Sequence, residues 1–242
     1  MKKNNFYCAM LMLATLLLNS CSSNNETETQ SSNTILVKKI IKTYSANDIS
    51  ILTYKYDGNK IISESNDSGF VATYTYTGNV ITKIEERVNN NFQNSREYTY
   101  VNGKIAIAVE KTNCCGTDTY SYTYNSNGTV SYNRTRTGSQ STTGLLTFVN
   151  GNMVKNEEFY GGQYPSTSTY IFGYDTKNNP FKNVLGFNLL LDTNEDTFSM
   201  NNLIQDGSGG SGTIDTRTFK YGGNNYPTEV KYSTGETYQY FY

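Results

Sequence analysis

The chain has 242 residues with 14% aromatic content, enough to bury one large core or two small ones, and its 20 basic and 21 acidic side chains leave a net charge of −1, without the basic excess of a general nucleic-acid binder. It contains no histidine, which removes imidazole-dependent serine and cysteine triads, zinc sites with histidine ligands and histidine general bases. Twenty-two tyrosines, no tryptophan, three prolines and abundant Asn, Thr and Gly favour strands and tight turns over helices.

Met1-Lys2-Lys3 is a positive start, Ala9 to Leu18 is apolar, and "LLNSC" ends at Cys21. The apolar run is shorter than the roughly 20 residues that a spanning helix needs. Leu18 three residues before Cys21, and Ser20 just before it, resemble the lipobox of bacterial lipoproteins. That resemblance implies a signal peptide over 1–20, diacylglycerol on the Cys21 thiol, an acylated (palmitate-type) new amino terminus and the membrane as a partner. Cys8 leaves with the signal. Each buried methylene adds about 0.8 kcal/mol, so several chains make a lasting anchor. "SSNNETETQSSN", residues 22–33, has no apolar residue and reads as a tether, leaving 34–242 as the folded domain. Glu26 and Glu28 resemble the acidic residues that some Bacteroidota lipoproteins carry for surface export. The expected place is the cell envelope, lipid-anchored at the outer membrane, with the periplasmic or surface face left open.

"ILVKKIIKTY", residues 35–44, is expected to be the first strand, although its spacing also permits a short helix. Further on, "EYTYVNGKIAIAVE", residues 97–110, carries Asn102-Gly103, a pair suited to a two-residue type I′ turn. Such a hairpin places Tyr100 opposite Ile105 and Tyr98 opposite Ile107, with Tyr98, Tyr100, Ile105, Ile107 and Val109 on one face. Variants recur with Tyr54 and Tyr56, Tyr74 and Tyr76, Tyr122 and Tyr124, Leu146 and Phe148, Phe172 and Tyr174, Phe219 and Tyr221, and a terminal "YQYFY". A unit of two strands and two turns, repeated, is the signature of an array. The Tyr56-Asp57 and Tyr174-Asp175 dipeptides, with a turn Gly or Asn followed by an aliphatic residue, resemble the YD repeats of Rhs-type proteins, above all the Tyr-rich, YD-repeat-like lipoproteins of Bacteroidota, over about residues 50–242. The expected fold is all-β: an antiparallel meander of repeated β-hairpins forming a curved single sheet, half-barrel or open solenoid.

The array is interrupted at about 176–214, where Phe181, Val184, Leu185, Phe187, Leu189, Leu190 and Leu191 form a dense apolar cluster. This insertion is expected to pack over the aromatic face or cap an open end, the alternative being a lid or binding loop. Asp192, Asn194 and Asp196 start a calcium-loop pattern, but Thr197 and Leu203 replace its required Gly and Glu. "GSGGSG", residues 207–212, lacks the Lys-Ser or Lys-Thr and the strand-helix context of a phosphate loop. No metal, cofactor or catalytic residue is assigned. Cys114 and Cys115 are a vicinal pair that can join each other, stay free or reach a partner chain; a disulfide within the pair is preferred.

Tyr54, Tyr56, Tyr74, Tyr76, Tyr98, Tyr100, Tyr122 and Tyr124 form the candidate binding face. If the sheet curls or the insertion covers it, they are core; if part stays open, their rings suit sugars or a protein partner. The resulting expectation is a non-enzymatic, membrane-anchored envelope lipoprotein that binds polysaccharide or protein through a concave face, an edge or its loops. The alternatives are a structural or adhesive surface protein and a carboxylate-based glycan hydrolase using residues such as Asp192, Glu195 or Asp196.

Overall fold

The structure, a computed structural model, describes residues 34–138, 140–191, 199–208 and 214–242. They belong to one compact unit, Thr34–Tyr242. Its strands run β1 Lys39–Ser45, β2 Asp48–Asp57, β3 Lys60–Asn66, β4 Phe70–Thr77, β5 Val80–Val88, β6 Asn91–Val101, β7 Lys104–Thr112 and β8 Gly116–Tyr124. They continue with β9 Val130–Arg136, β10 Thr142–Val149, β11 Asn152–Tyr160, β12 Ser166–Tyr174, β13 Leu203–Ser208, β14 Ile214–Tyr221, β15 Pro227–Tyr232 and β16 Thr237–Phe241. Every strand pairs antiparallel with its neighbours in sequence, and β16 returns to β1 with Lys39 opposite Phe241 and Thr43 opposite Thr237. The sheet is therefore a closed sixteen-stranded barrel, which corrects the expected open sheet, half-barrel or solenoid. "YQYFY" is the closing strand rather than one more copy, and closure removes every edge.

The recurring phrase also means something different from a plain hairpin. Asn102 (φ 52°) and Gly103 (φ 74°) form the expected turn, and Tyr100 faces Ile105. A β-bulge then shifts the register, so that Thr99 faces Ile107 and Tyr98 faces Ala108. Ile105 and Ala108 point inward, whereas Ile107 is exposed on the outer wall. The same shift occurs beside the turns at Lys55/Tyr56, Thr75/Tyr76, Thr147/Phe148 and Lys220/Tyr221, and between β12 and β13 at Gly173/Tyr174. One extra residue at each of these places bends the strand and adds twist, which helps a long meander curl until its ends meet.

The second tyrosine of the phrase reaches back to backbone earlier in the chain, at a bulged hairpin for Tyr76, Tyr100, Tyr174 and Tyr242 and just ahead of β1 for Tyr56. The hydroxyls of Tyr56, Tyr100, Tyr174 and Tyr242 donate to the carbonyls of Val37, Ile81, Met153 and Pro227 at 2.8, 2.8, 2.9 and 2.9 Å. The Tyr76 hydroxyl accepts from the Ile61 amide at 3.2 Å. A bulge leaves ladder groups unpaired, and a phenol at the end of a rigid arm reaches them where phenylalanine cannot. Tyrosine at this place therefore supplies a lock between successive hairpins, while Phe148 fills the same place in its copy without one. Together with the closed topology, this overturns the YD-repeat reading: the units build a barrel wall.

Residues 175–191 and 199–202 fold across the end of the barrel that carries the turns at Asn59, Asn79 and Gly151. The Leu185 amide donates to the Asn59 carbonyl (2.9 Å), the Tyr76 hydroxyl to the Leu185 carbonyl (3.0 Å), and the Asn183 amide group to the Ile35 carbonyl (2.9 Å). Asn152 Oδ1 accepts from the Met200 and Asn201 amides at 2.9 and 3.1 Å. Phe181, Val184, Phe187 and Leu190 are buried in one cluster with Ile61, Ile81, Ile105 and Tyr54. Residues 187–189 form a single 3₁₀ turn after Gly186, whose φ of 79° and approach to the Asn79 carbonyl leave little room for a side chain. Asp175 ties the two ends of the segment by accepting from the Lys177 amide (2.9 Å), the Asn202 amide (3.1 Å) and the Tyr221 hydroxyl.

The outer wall is polar. Lys83, Glu85, Arg87, Glu97 and Lys111 form a cross-strand ion ladder, with Lys83–Glu85 at 2.8 Å, Arg87–Glu85 at 2.8 Å and Lys111–Glu97 at 3.6 Å. Lys155–Glu157 (2.9 Å) and Lys220–Glu229 (2.7 Å) stand elsewhere on it. Apolar side chains, among them Ile51, Val71, Ile107, Phe159 and Ile171, are exposed on the barrel as well.

Candidate functional site

Inward-facing side chains change character along the barrel axis. Next to the inserted segment they are aliphatic and aromatic; toward the opposite end they become charged and paired. Arg96 donates to Glu110 at 3.3 Å, Arg136 to Asp118, and Arg217 to Asp206 at 2.6 Å. Tyr132 lies over Gly144 on the next strand, its ring occupying the space a Cβ would need, and its hydroxyl reaches Asn156 (3.2 Å) and Glu158 (3.0 Å) one strand further on. Gly144 is the opening that lets this ring cross.

A cavity of about 370 Å³ lies between the inserted segment and this charged region. Phe181 and Phe187, 5.5 Å apart, form its floor with Pro180. Tyr54 meets Phe181 edge-on at 5.3 Å, and Tyr74 lies 5.9 Å from Phe187. Lys42, Glu64, Glu86, Arg96, Ser50 and Asn66 supply its polar lining, and Tyr44, Tyr232 and Tyr238 cluster toward its outer part with centroid spacings of 6.1 and 4.8 Å. Tyr44 is 41% exposed, so the lining continues to the surface.

Glu64 and Glu86 both stand opposite Ala72 in the flanking strands, whose small side chain leaves the space between them. Burial is the main cause that pushes the Glu64 carboxyl above the ordinary range, against the pull of Lys42, while neighbouring Glu86 adds to the rise. Glu86 accepts from Asn94 at 2.7 Å, and the Tyr74 hydroxyl lies 3.5 Å from Glu64. Burial likewise pushes Tyr76 up to about 12.

All eight candidate tyrosines lie on strands whose aromatic face is the inner one, but only Tyr54 and Tyr74 line this cavity. Tyr54 and Tyr98 are 9% exposed, and Tyr122 stacks on Tyr120 at 6.2 Å. Tyr56, Tyr76 and Tyr100 belong to the locks described above, and Tyr124 has a hydrogen bond from the Ile105 backbone. The polar lining residues Lys42, Glu64, Glu86 and Arg96 are not legible from plain alternation. In an unbulged hairpin Tyr54 faces Ser63 and Tyr74 faces Lys83; the bulge brings Glu64 and Ile84 to those places and turns Glu86 inward. Cys114 and Cys115 are joined in the β7–β8 turn, where the Cys115 amide donates to Thr112 Oγ1 at 3.1 Å. Cys21, the calcium-like Asp192, Asn194 and Asp196, and Glu195 lie outside the described residues. Among the described residues no group of three or more His, Cys, Asp or Glu could hold a metal ion.

Closure also corrects the functional expectation. A wall that binds through an open concave face or a free edge does not exist here, because β1 and β16 are paired and the inner face encloses the lumen. No protein-family model matches the chain, and no curated protein matches it. Among solved structures it is similar to a porin-like protein from Bacteroides uniformis ATCC 8492, at 11% identity and a TM-score of 0.52, over 86% of this chain and 97% of that one. At this identity the likeness is one of fold, and it supports neither the YD-repeat resemblance nor the surface-binding lipoprotein built on it.

Proposed function

We propose that the chain works through its lumen, as a porin-like barrel blocked at one end by its own insertion and admitting a small polar solute from the other. The observation that carries this is the one-sided cavity: an aromatic floor made by the insertion, charged and amide side chains above it, and a lining that reaches the surface at Tyr44. A pocket of this size falls in the range of small-molecule sites.

The likeness to a porin-like structure supports the outer membrane of a bacterial envelope as its place. The outer wall argues against crossing the bilayer. A lysine or arginine facing lipid at mid-depth costs about 2–4 kcal/mol, falling toward the interfaces, and spanning barrels present an apolar band there. Lys83, Arg87, Lys111 and Lys155 stand on this wall with Glu85, Glu97 and Glu157 as partners. We read the barrel on this ground as standing in water next to the membrane, with Cys21 as the residue that would hold it there.

Cysteine placed at Ala72, which is 2% exposed and lines the cavity, tests the lumen directly. A small methanethiosulfonate reagent is expected to label it in the folded protein, and a maleimide on a long polyethylene glycol is not. Failure of the small reagent to label Ala72→Cys overturns the open lumen. Steady ion conductance from the purified protein in a planar bilayer overturns the water-facing barrel in favour of a through-channel.

A further inference from the structure

The cavity has a definite chemical bias, and the inference drawn from it rests on the lumen reading above. Its charged lining residues are Lys42, Arg96, Glu64 and Glu86, two of each sign, and two of them are already engaged: Arg96 donates to Glu110 at 3.3 Å, and Glu86 accepts from Asn94 at 2.7 Å. The lining thus offers no net charge to attract an anion or a cation. What it offers is a mixture of donors and acceptors: the Lys42 ammonium, the Asn66 amide, the Ser50 hydroxyl, the Glu64 carboxyl and tyrosine hydroxyls. These lie beside flat apolar rings, with Phe181 and Phe187 at the floor and Tyr232 and Tyr238 farther out.

Aromatic faces combined with close-set, mutually balanced donors and acceptors suit a ligand that is apolar on its ring faces and hydroxylated around its rim. A purely apolar ligand would displace water from Glu64 and Lys42 and leave their remaining hydrogen-bonding capacity unmet, and a simple ion would leave the rings unused. At about 370 Å³ the space is at the small end for ligand sites. We infer that the cavity takes a neutral saccharide of one or two rings, held between the aromatic floor and the Tyr44 rim and hydrogen-bonded by Glu64, Lys42 and Asn66.

The experiment uses the whole chain with glucose, N-acetylglucosamine and maltose as probes, read by saturation-transfer NMR and calorimetry. At least one sugar is expected to bind, to slow methanethiosulfonate labelling of Ala72→Cys, and to lose at least tenfold in affinity in Glu64→Gln and in Tyr44→Ala. Tyr44 is partly exposed at the rim, so that variant is expected to keep the wild-type melting temperature and circular dichroism spectrum. If Ala72→Cys labels readily but no sugar binds or protects it, the saccharide inference fails while the open lumen stands; if it does not label, the lumen reading itself fails. Binding that is unchanged in both variants, or a response to choline and not to any sugar, also overturns the inference.

Discussion

Replacing Tyr100 with phenylalanine isolates one lock of the barrel wall. The Tyr100 hydroxyl donates to the Ile81 carbonyl at 2.8 Å, and Ile81 is fully buried beside the inserted segment. A neutral hydrogen bond contributes about 0.5–1.5 kcal/mol net, and a buried carbonyl that loses its partner costs about 1–3 kcal/mol. Tyr100→Phe keeps the ring and its packing, so the loss should lie in the range of about 1–3 kcal/mol, or roughly 2–4 °C of melting temperature per kcal/mol for a chain of this size. Urea unfolding followed by circular dichroism measures it, with the midpoint falling and the slope unchanged. Tyr174→Phe, which breaks the equivalent bond to Met153, should fall in the same range. Tyr164→Phe is the control, since that side chain is 83% exposed and its change should stay within about 0.5 kcal/mol. If Tyr100→Phe and Tyr174→Phe unfold like the control, the lock does not stabilise the bulge and the account of the repeated tyrosine is wrong.

Gly144→Ala forces the Tyr132 ring off its strand and should destabilise by about 1–3 kcal/mol, and Tyr132→Ala in the same chain should relieve most of that clash; additive losses in the double variant would refute the crossing-ring explanation. Glu64 has a folded-state affinity for its proton above the unfolded value, so its contribution to stability is greatest at low pH and declines as pH rises from the ordinary carboxylate range through the raised folded value. Glu64→Gln should accordingly raise the melting temperature at neutral pH and change it little in acid; the opposite pH dependence would refute the assignment. Tyr76 and Tyr160 are both held up to about 12, the first chiefly by burial and the second by its hydrogen bond to Glu158, so tyrosinate absorbance from these rings should appear only around that pH. Their ionisation near pH 10 in still-folded protein would contradict the packing. Cys21→Ser should abolish incorporation of labelled palmitate and release the chain from membranes; retention of both would remove the lipid attachment proposed for that residue.

Strands, turns and inward tyrosines follow from alternation and from Asn-Gly pairs, and Tyr54 and Ile105 are where a two-sided wall places them. Two features do not follow. The bulge is one residue in a run such as "KIIS", where Ile61 and Ile62 are equally apolar, so nothing local says which of them leaves the core; yet it reverses the side of every residue beyond it, including Glu64 and Glu86. Closure depends on the pairing of Lys39 with Phe241, at opposite ends of the described chain, and on twist accumulated over sixteen strands. A local pattern carries neither quantity. The inserted leucines and phenylalanines are legible as an apolar mass, but their seat against Asn59, Tyr76 and Asn152 is a property of the assembled end.

The pairing of β1 with β16 has a kinetic meaning. Until Tyr238, Tyr240 and Phe241 leave the ribosome and, for an exported chain, reach the far side of the membrane, Ile40 and Lys39 have no permanent neighbour on one flank, and the growing sheet has two raw margins. Such an arrangement folds slowly and as a whole, because the contact that completes it is the one most distant along the polypeptide. Loss of the last five residues should therefore produce an aggregating chain rather than a slightly smaller barrel.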